Sequence, residues 1–505
     1  MMAGSGAITG IAWVMAVLVC EGLDRWAVGR GAVAIRRDAH LVLRGCAYSL
    51  LFLFWLALSA RAAFAATAAA ITTAVFLVIS GEKRRHLTEP LVITDLAFIT
   101  HLVRHPELFY LGWRKTLGVA AVALGLVALI VTWMQLEPRS LSGAVQAALA
   151  AGLALLALAA YGWPRWVLGL ATRAQAAVAY EPAHDFVARL GLMPSLLVSA
   201  VALRALPPPA PRTAAVPASP PRPAASGPLD AVVVIQSESF YDLRRHGGRV
   251  LLPAFDGLKG RALAHGRLLV PCYGAYTLRP EFALATGLPF TAQGVDRFHP
   301  YLRPHRFARH ALPADLARAG WDTVFIHPYD PHFFGRARAI PALGYGRFLS
   351  EVDFAGAERF GPYVADRAVG ARMEAELLEA RRRKQPLYMM TVTMEAHDPY
   401  GPGRLTGTDD PVEQYCQHIA NADALLAAMV AALDAHTGHS LLVFYGDHAP
   451  LLPGFGQLAA DARTDYIVVE CGSRAPMRSS APAASSECSP AGLNEILRRM
   501  VDSSC

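Results

Sequence analysis

The uneven distribution of hydrophobic residues constrains the fold of this chain most strongly. Of its 505 residues, 54% are hydrophobic and only 17% are charged, and the hydrophobic excess lies almost wholly before residue 205. We therefore predict a transmembrane domain at residues 1–205, followed by a soluble half. Five segments of this domain are apolar and long enough to cross a bilayer, at about 6–22, 42–60, 62–80, 116–135 and 143–162.

A sixth apolar stretch, Phe186–Leu203, is ambiguous because it contains Arg189, Gly191 and Pro194. It suits either a sixth span or a helix that lies in the membrane interface. The first apolar segment lacks the basic residues that begin a signal peptide, and further spans follow it. It is therefore predicted to be an uncleaved helix.

The basic residues of this domain are concentrated in two loops, which give conflicting predictions of topology. The positive-inside rule puts both loops in the cytoplasm and requires an outside N-terminus and six spans. Five spans with an inside N-terminus put the loops outside, where they would meet anionic lipid headgroups. Both arrangements put the C-terminal half outside the cytoplasm. The loops contain Arg25, Arg30, Arg36 and Arg37, and Lys83, Arg84, Arg85, Arg104, Arg114 and Lys115.

Residues 206–229 are dense in proline and small residues. This composition cannot build a core and is typical of an extended, semi-rigid linker. We place the domain boundary here, so that residues 230–505 form an extracytoplasmic domain. The net charge of +7 sits largely in the membrane loops, and no aromatic and basic nucleic-acid module accompanies it.

Strand-like and helix-like patterns alternate after the linker. This alternation predicts an α/β layer fold with a mostly parallel sheet. The first strand, Ala231–Ile235, has no polar break, as expected for a strand covered on both faces. The other predicted strands are 323–327, 387–393 and 440–445, and the predicted helices are 311–319, 364–383 and 412–435.

Polar residues that can bind metals follow the ends of these strands. Because ligands bind where the parallel strands of an open sheet end, this clustering predicts an active site at one edge of the sheet. Oxygen and nitrogen ligands without a cysteine cluster suit Mg²⁺, Mn²⁺ or Zn²⁺, which can polarise a phosphoryl or sulfuryl oxygen. The residues are Glu238, His327, Tyr329, Asp330, His332, Glu395, His397, Asp398, Asp447 and His448.

The residues alone leave two candidates for a nucleophile. Thr277 precedes a plausible helix start at Pro280 and Glu281, where the helix dipole favours a phosphoryl group or an alkoxide. A simple helix cap at Thr277 is the commoner role for such a residue. Cys272 is the rival nucleophile, and the spacing does not separate the two.

The seven cysteines show no metal-ligand spacing. If the C-terminal half is outside the cytoplasm, a disulfide can form there, and Cys471 with Cys488 is the predicted pair.

Several motifs of the C-terminal half occur in an order that resembles the extracellular catalytic domain of the lipoteichoic acid synthase family. These are membrane phosphoglycerol transferases of the alkaline phosphatase and sulfatase superfamily. The resemblance covers about residues 230–470 and implies an N-terminal transmembrane bundle plus an α/β sulfatase-like domain with a mostly parallel sheet. Its motifs are Val-Ile-Gln-Ser-Glu238-Ser-Phe, Thr277 with Glu281-Phe282, Phe334-Gly-Arg336 with Leu-Gly-Tyr-Gly at 343–346, Thr-Val-Thr-Met-Glu-Ala-His397-Asp-Pro-Tyr, and Tyr-Gly-Asp447-His448.

The resemblance implies a site and a reaction. One divalent metal, Mn²⁺ or Mg²⁺ with Zn²⁺ as a further option, would be bound by Glu238, Thr277, Asp447 and His448. Thr277 rather than Cys272 would attack the phosphate of a phosphatidylglycerol-like lipid and hold a phosphoglycerol group. An envelope glycan or a glycerol-phosphate polymer would then accept that group.

The resemblance also assigns the substrate contacts and the compartment. Arg336 and His397 match positions that contact the phosphate and glycerol, and Phe334 stands where a tryptophan is expected. Arg279, near Thr277, departs from the small polar residues of the family; it is interpreted as a phosphate contact or a solvated charge. The protein would be a multi-pass protein of the bacterial inner membrane with an extracytoplasmic catalytic domain, which favours five spans.

Other function classes remain open at this point. One keeps the machinery and changes the reaction to phosphoethanolamine transfer or to hydrolysis of a phosphodiester or sulfate ester. A sulfatase proper is disfavoured because the chain lacks a Cys/Ser-x-Pro-x-Arg nucleophile motif. A binding or sensor protein on a decayed scaffold would be expected to have lost ligands, and all four candidates are present. A transporter is disfavoured by the few ionisable residues in the spans.

Overall fold

The computed structural model describes residues 2–28, 40–99, 113–169, 182–206, 228–461, 463–473 and 484–502. Most of the predicted linker, 207–227, lies outside these residues, as do Arg30, Arg36, Arg37 and Arg104 of the basic loops. The chain divides into two compact units, Met1–Pro207 and Pro208–Cys505.

The N-terminal unit is helical, as predicted. Apolar runs that are uninterrupted over about 20 residues favour helices here, because a helix satisfies its own backbone hydrogen bonds. Four of the helices are apolar and long enough to cross a membrane, over Gly6–Ala27, Leu41–Ser59, Ala62–Leu87 and Gly143–Gly162. The helices are α1 (Met2–Val28), α2 (Leu41–Ser59), α3 (Ala62–Leu87), α4 (Trp113–Leu136), α5 (Gly143–Gly162), α6 (Pro164–Gly169), α7 (Ala183–Leu190) and α8 (Leu192–Ala205), with a 3₁₀ helix at Ile93–Phe98.

The ambiguous sixth stretch forms a sharply broken pair of helices. Helices α7 and α8 meet at Gly191 and are bent by 118°. Gly191 has a φ of +91°, and a Cβ there would lie 2.5 Å from Oδ2 of Asp24. The same carboxylate accepts a hydrogen bond of 2.9 Å from the backbone N–H of Leu192. The bend is therefore tied to α1.

The basic loop that begins at Lys83, which would meet lipid headgroups in the five-span arrangement, also makes contacts within the unit. The Nζ of Lys83 lies 2.7 Å from Oδ2 of Asp95, so this cation has a carboxylate partner within the unit.

The C-terminal unit is built on an eight-stranded sheet with the order β10-β2-β9-β8-β1-β7-β3-β4. The block β8-β1-β7-β3-β4 is parallel throughout, and β9 runs antiparallel to both of its neighbours. The prediction of a mostly parallel sheet is confirmed. The strands are β1 (Ala231–Ser237), β2 (Ala264–Leu269), β3 (Asp322–Ile326), β4 (Arg347–Leu349), β5 (Arg359–Phe360), β6 (Tyr363–Val364), β7 (Leu387–Val392), β8 (Ser440–Gly446), β9 (Arg463–Cys471) and β10 (Ser486–Cys488).

Helices cover both faces of the sheet. All seven residues of β1 are buried; Val233 and Ile235 belong to the core on one face, and Val232 and Val234 to the core on the other. Because both faces of β1 are buried, the residues on both faces are apolar, which gives the continuous apolar run in the sequence. The helices are α9 (Pro253–Leu258), α10 (Leu278–Thr286), α11 (Leu312–Arg318), α12 (Arg336–Ala342), α13 (Asp366–Arg382), α14 (Pro411–Asp434) and α15 (Pro490–Asp502).

Helix α14 is also long and apolar enough to cross a membrane, yet it belongs to this second unit. Its buried residues, among them Tyr415, Ile419 and Leu426, join the hydrophobic core on one face of the sheet. Its apolar character therefore comes from packing within the domain.

The predicted pairing of Cys471 with Cys488 is wrong. On β10, Cys488 is aligned with Leu268 of β2, and Leu268 is aligned with Thr464 of β9. Cys471 lies at the far end of β9 from Thr464, well beyond the roughly 7 Å between Cα atoms that a disulfide can bridge. Both thiols are free.

Candidate active site

Three predicted metal ligands meet at the carboxyl ends of two neighbouring strands. Glu238 follows β1 directly, and Asp447 and His448 follow β8 directly. These strands are parallel and in register, with Ser237 opposite Gly446, so their ends deliver the side chains to one point. One ligand atom from each of the three residues lies within 4.8 Å of the other two, and all three residues are buried.

Hydrogen bonds orient two of these ligand atoms toward the cluster. The Oδ1 of Asp447 accepts from the backbone N–H groups of Ser239 at 2.8 Å and of His448 at 2.9 Å. The Nδ1 of His448 lies 3.2 Å from the carbonyl oxygen of Ala449, which can only accept, so Nδ1 carries the proton. Within the described part of the chain, Oδ2 of Asp447 and Nε2 of His448 have no hydrogen-bond partner.

This arrangement fits a divalent cation. The Nε2 of His448 lies 3.3 Å from Oε1 of Glu238 and 3.5 Å from Oδ2 of Asp447. Burial, together with the negative charge of Asp447, raises the pKa of Glu238. Two buried carboxylates and an imidazole nitrogen that face one point would be stabilised by a shared positive ion.

Thr277 lies beside this cluster. Its hydroxyl is 3.5 Å from Oε2 of Glu238, and the residue is 7% exposed. Thr277 occupies the N-cap position of α10, but its side chain makes no capping hydrogen bond, so the role of a simple helix cap does not describe it. The preceding residue, Tyr276, has a φ of +68°, which is unusual for a bulky residue and marks a tightly held turn.

Cys272, the rival nucleophile, contacts a backbone oxygen. The thiol of Cys272 is buried and lies 3.6 Å from the backbone oxygen of Asp447. It therefore contacts the main chain of a candidate ligand, whereas the hydroxyl of Thr277 contacts a ligand carboxylate.

Arg336 is held by a carboxylate whose role was missed in the sequence. Its Nη2 lies 2.9 Å from Oε2 of Glu281, and both side chains are 1% exposed. The hydroxyl of Tyr301 donates to the same carboxylate. Among the described residues, Nη1 of Arg336 has no hydrogen-bond partner. The motif contained Glu281, but nothing in the sequence identified it as the partner of an arginine 55 residues away.

His397 and Phe334 lie near this group. Burial lowers the pKa of His397, but the negative charges of Glu238 and Asp398 outweigh it and raise that pKa to about 9. Phe334 is half-buried, and its ring centroid is 5.5 Å from Cζ of Arg336. Its φ of +55° is a second left-handed non-glycine position at the site.

His327 is a candidate site residue that the strand-end pattern included but to which no role was assigned. It follows β3, and its Nδ1 donates to the carbonyl of Val392 at 3.1 Å. Burial and the positive charge of Arg336 hold the pKa of His327 well below its usual range, so its ring is neutral. Its Nε2 is buried without a hydrogen-bond partner in the part of the chain that the structure describes.

Glu395 follows β7 but contributes to structure instead. Its carboxylate accepts from the backbone N–H of Asp366 at 2.6 Å, from Nδ1 of His418 at 2.9 Å and from Asn421 at 2.6 Å. It therefore joins α13 to α14 behind the site.

Arg279 is not the solvated charge that was one of its two interpretations. It is fully buried, and it donates to the carbonyl of Phe298 at 3.1 Å and to that of Pro271 at 3.3 Å. Its Cζ lies 4.0 Å from the ring centroid of Tyr276. Arg279 thus braces the turn that precedes Thr277.

Comparison with known proteins places the chain in a family. Residues 230–492 match the Sulfatase family model, so the chain belongs to the sulfatase family, and the predicted sulfatase-like fold of this part of the chain is confirmed. The capsular polysaccharide biosynthesis protein RkpI of Rhizobium meliloti (strain 1021) is 31% identical over 472 residues, which cover 87% of this chain and 82% of that protein.

Two solved structures are also similar to this chain. The phosphoglycerol transferase GacH of Streptococcus pyogenes, in complex with sn-glycerol-1-phosphate, has a TM-score of 0.45 and 21% identity, over 55% of this chain and 76% of that one. The lipoteichoic acid synthase LtaP of Listeria monocytogenes has a TM-score of 0.43 and 18% identity, over 55% and 74%.

Proposed function

We propose that this protein transfers a phosphoglycerol group from a membrane phospholipid, phosphatidylglycerol or a close analogue, to an envelope glycan or polymer. One observation carries the proposal: the hydroxyl of Thr277 is not used as a helix cap and lies beside Glu238, at the edge of a buried cluster that fits a cation. A nucleophile next to a metal site is the arrangement that group transfer from a phosphodiester needs.

The proposed cation is Mn²⁺ or Mg²⁺, with Zn²⁺ as the alternative, held by Glu238, Asp447, His448 and the oxygen of Thr277. When bound there, it would polarise a phosphoryl oxygen and lower the pKa of the Thr277 hydroxyl.

The remaining residues would bind and orient the substrate phosphate. Nη1 of Arg336 and Nε2 of His327 are buried atoms with unused hydrogen-bonding capacity among the described residues. The fixed position of Arg336 on Glu281 would spare the site the cost of ordering that side chain on binding. His397, with its raised pKa, would add a second positive charge, and Phe334 would cover the glycerol.

The reaction would proceed by two displacements at phosphorus. In the first, the Thr277 oxygen bonds to phosphorus and the bond to the diacylglycerol oxygen breaks. The proton that leaves Thr277 ends on diacylglycerol. In the second, an acceptor hydroxyl bonds to phosphorus, the bond to Thr277 breaks, and the acceptor proton returns to Thr277. Atoms and charges balance without a further reactant.

The lipid donor and the glycan acceptor are supported by different observations. The apolar helices of residues 1–205 would place the chain in the bacterial inner membrane, with residues 206–229 as linker and residues 230–505 as the extracytoplasmic catalytic domain. The glycan acceptor is supported by RkpI, which is described as a capsular polysaccharide biosynthesis protein.

The test uses the full chain in detergent with Mn²⁺ and phosphatidylglycerol labelled in its acyl chains. We expect release of labelled diacylglycerol that depends on the metal and is lost in Thr277→Ala. Cys272→Ala is the matched control, because it removes the rival nucleophile, and it should retain activity. A Thr277→Ala variant that releases as much diacylglycerol as the wild type would refute the proposal.

Two further arms separate the alternative reactions. Release of diacylglycerol from phosphatidylethanolamine, but not from phosphatidylglycerol, would change the donor. Free glycerol phosphate formed at the same rate with and without a glycan would make the protein a hydrolase.

A further inference from the structure

Ser239, which follows the candidate ligand Glu238, has an unusual backbone. Its φ is +53° although it is not glycine, and it is 3% exposed. A left-handed conformation of this kind is unfavourable for a residue with a side chain and persists only where the surroundings fix it. Such residues cluster at functional sites.

This conformation lets one residue contact all three members of the metal-ligand cluster. The backbone N–H of Ser239 donates to Oδ1 of Asp447 at 2.8 Å. Its hydroxyl donates to Oε1 of Glu238 at 2.9 Å and lies 3.5 Å from Nδ1 of His448. The main chain of Ser239 thus holds one carboxylate, and its side chain holds the other.

The strained turn is itself anchored in the core. The buried hydroxyl of Tyr415, on α14, shares its single proton between the carbonyl oxygens of Ser239, at 3.0 Å, and of Tyr241, at 3.1 Å. The N–H, the hydroxyl and the carbonyl of Ser239 are therefore all engaged, which explains why the left-handed turn is maintained.

We propose that Ser239 is the positioning residue of the divalent-cation site. Its N–H fixes Oδ1 of Asp447 and its O–H fixes Oε1 of Glu238, so that both carboxylates are held in the orientation that faces the ion. The residues that orient metal ligands typically account for a 10- to 100-fold difference in metal affinity. The inference rests on the cation of the proposed function but not on its lipid donor or its glycan acceptor.

The hydroxyl and the backbone can be tested separately. Ser239→Ala removes the hydroxyl and keeps the strained backbone. Ser239→Gly removes the hydroxyl and also relieves the strain, because glycine adopts positive φ without a penalty. If Ser239 positions the ligands, both variants bind metal weakly, while the glycine variant without metal is more stable than the alanine variant. A purely structural role would make metal affinity and stability change together.

Ser237 supplies a matched control on the other side of Glu238. It is equally buried, and its hydroxyl has no hydrogen-bond partner in the described portion of the chain. Ser237→Ala therefore removes an equivalent group without disturbing a ligand.

The experiment is calorimetric titration of the chelator-stripped full chain in detergent with Mn²⁺, with the melting temperature of each metal-free variant measured alongside. We expect Ser239→Ala and Ser239→Gly to bind Mn²⁺ about 10- to 100-fold more weakly and Ser237→Ala to keep the wild-type affinity. Wild-type affinity in Ser239→Ala, or an equal loss in Ser237→Ala, overturns the inference.

The outcome can be told apart from failure of the proposed function. If Ser239→Ala weakens Mn²⁺ binding but the wild type releases no diacylglycerol from any lipid, the positioning role stands and the transferase proposal fails. If the wild type cleaves the lipid and Ser239→Ala binds Mn²⁺ with wild-type affinity, the transferase proposal stands and the positioning role of Ser239 fails. A wild-type protein that binds no divalent cation overturns both.

Discussion

The buried ion pair between Glu281 and Arg336 gives the sharpest prediction about this site. Both side chains are 1% exposed, and their closest atoms are 2.9 Å apart. At an effective dielectric constant of about 20, unit charges about 4 Å apart attract by about 4 kcal/mol. Removing one partner leaves a buried charge without its counter-ion, at a measured cost of about 3–5 kcal/mol. We therefore expect Glu281→Ala to destabilise the C-terminal unit by that amount.

Hydrogen exchange is the suitable assay because only one tryptophan, Trp321, lies after residue 205, so intrinsic fluorescence would report mainly on the membrane unit. A loss of about 3–5 kcal/mol speeds exchange by roughly two to four orders of magnitude wherever exchange requires unfolding of this unit. Peptides from β1 and β8 should show the effect. Exchange in the membrane helices should be unchanged.

An exposed ion pair supplies the control. Glu358 and Arg367 lie 2.8 Å apart with side chains 43% and 84% exposed, and such surface pairs contribute about 1 kcal/mol or less. Glu358→Ala should therefore leave exchange in β1 and β8 nearly unchanged. An equally small effect of Glu281→Ala would refute the reasoning, since it would mean that the buried guanidinium needs no counter-ion.

A double variant separates stability from function. Replacing a buried pair by apolar residues of similar volume is often neutral or stabilising, so Glu281→Leu with Arg336→Met should recover most of the lost protection. It should not recover diacylglycerol release, because the proposed phosphate contact is absent.

Three further predictions concern other parts of the chain. Arg279→Met should slow diacylglycerol release roughly 10- to 100-fold because it misplaces Thr277; release of the labelled lipid product measures the change. Gly191→Ala should destabilise the N-terminal unit by about 1–3 kcal/mol, because the new Cβ would clash with Asp24. Gly152→Ala is the control, because a Cβ there contacts nothing, and it should leave stability unchanged. Thermal unfolding followed by tryptophan fluorescence measures both variants. Hydrogen bonding to Arg244 lowers the pKa of Asp256 to about 2. The ion pair therefore contributes its full stability above a pH of about 4, the pKa of an unfolded Asp, and loses it as the pH falls toward about 2. Hydrogen-exchange rates of the wild type and of Arg244→Ala should differ at the higher pH and converge over that range.

The parts of the fold that follow from short-range patterns were predictable from the sequence. A strand buried on both faces must be apolar throughout, which is why β1 was recognisable from Ala231–Ile235. Glu238, Asp447 and His448 were predictable as a group because each follows a parallel strand by one or two residues, and the ends of parallel strands share an edge.

The features that were missed depend on contacts between distant residues. The resemblance left Arg279 as either a phosphate contact or a solvated charge, and the solvated charge was wrong because the fold covers Arg279 with the segment around Phe298. The pairing of Arg336 with Glu281 joins residues on different helices. The proposed disulfide failed for the same reason, since strand order, and not sequence separation, sets the distance between Cys471 and Cys488.

Backbone strain gives a separate indication of the site, one that no sequence pattern contains. The described non-glycine residues with positive φ are Ala60, Thr88, Ser239, Tyr276, Phe334 and Lys384. Three of them lie within two positions of a candidate site residue, since Ser239 follows Glu238, Tyr276 precedes Thr277, and Phe334 precedes Arg336. Strained conformations persist only where surrounding contacts over-determine them. They lie beside a candidate ligand, a candidate nucleophile and a proposed phosphate contact, which argues that this edge of the sheet is held in a preorganised geometry, as the proposed reaction requires.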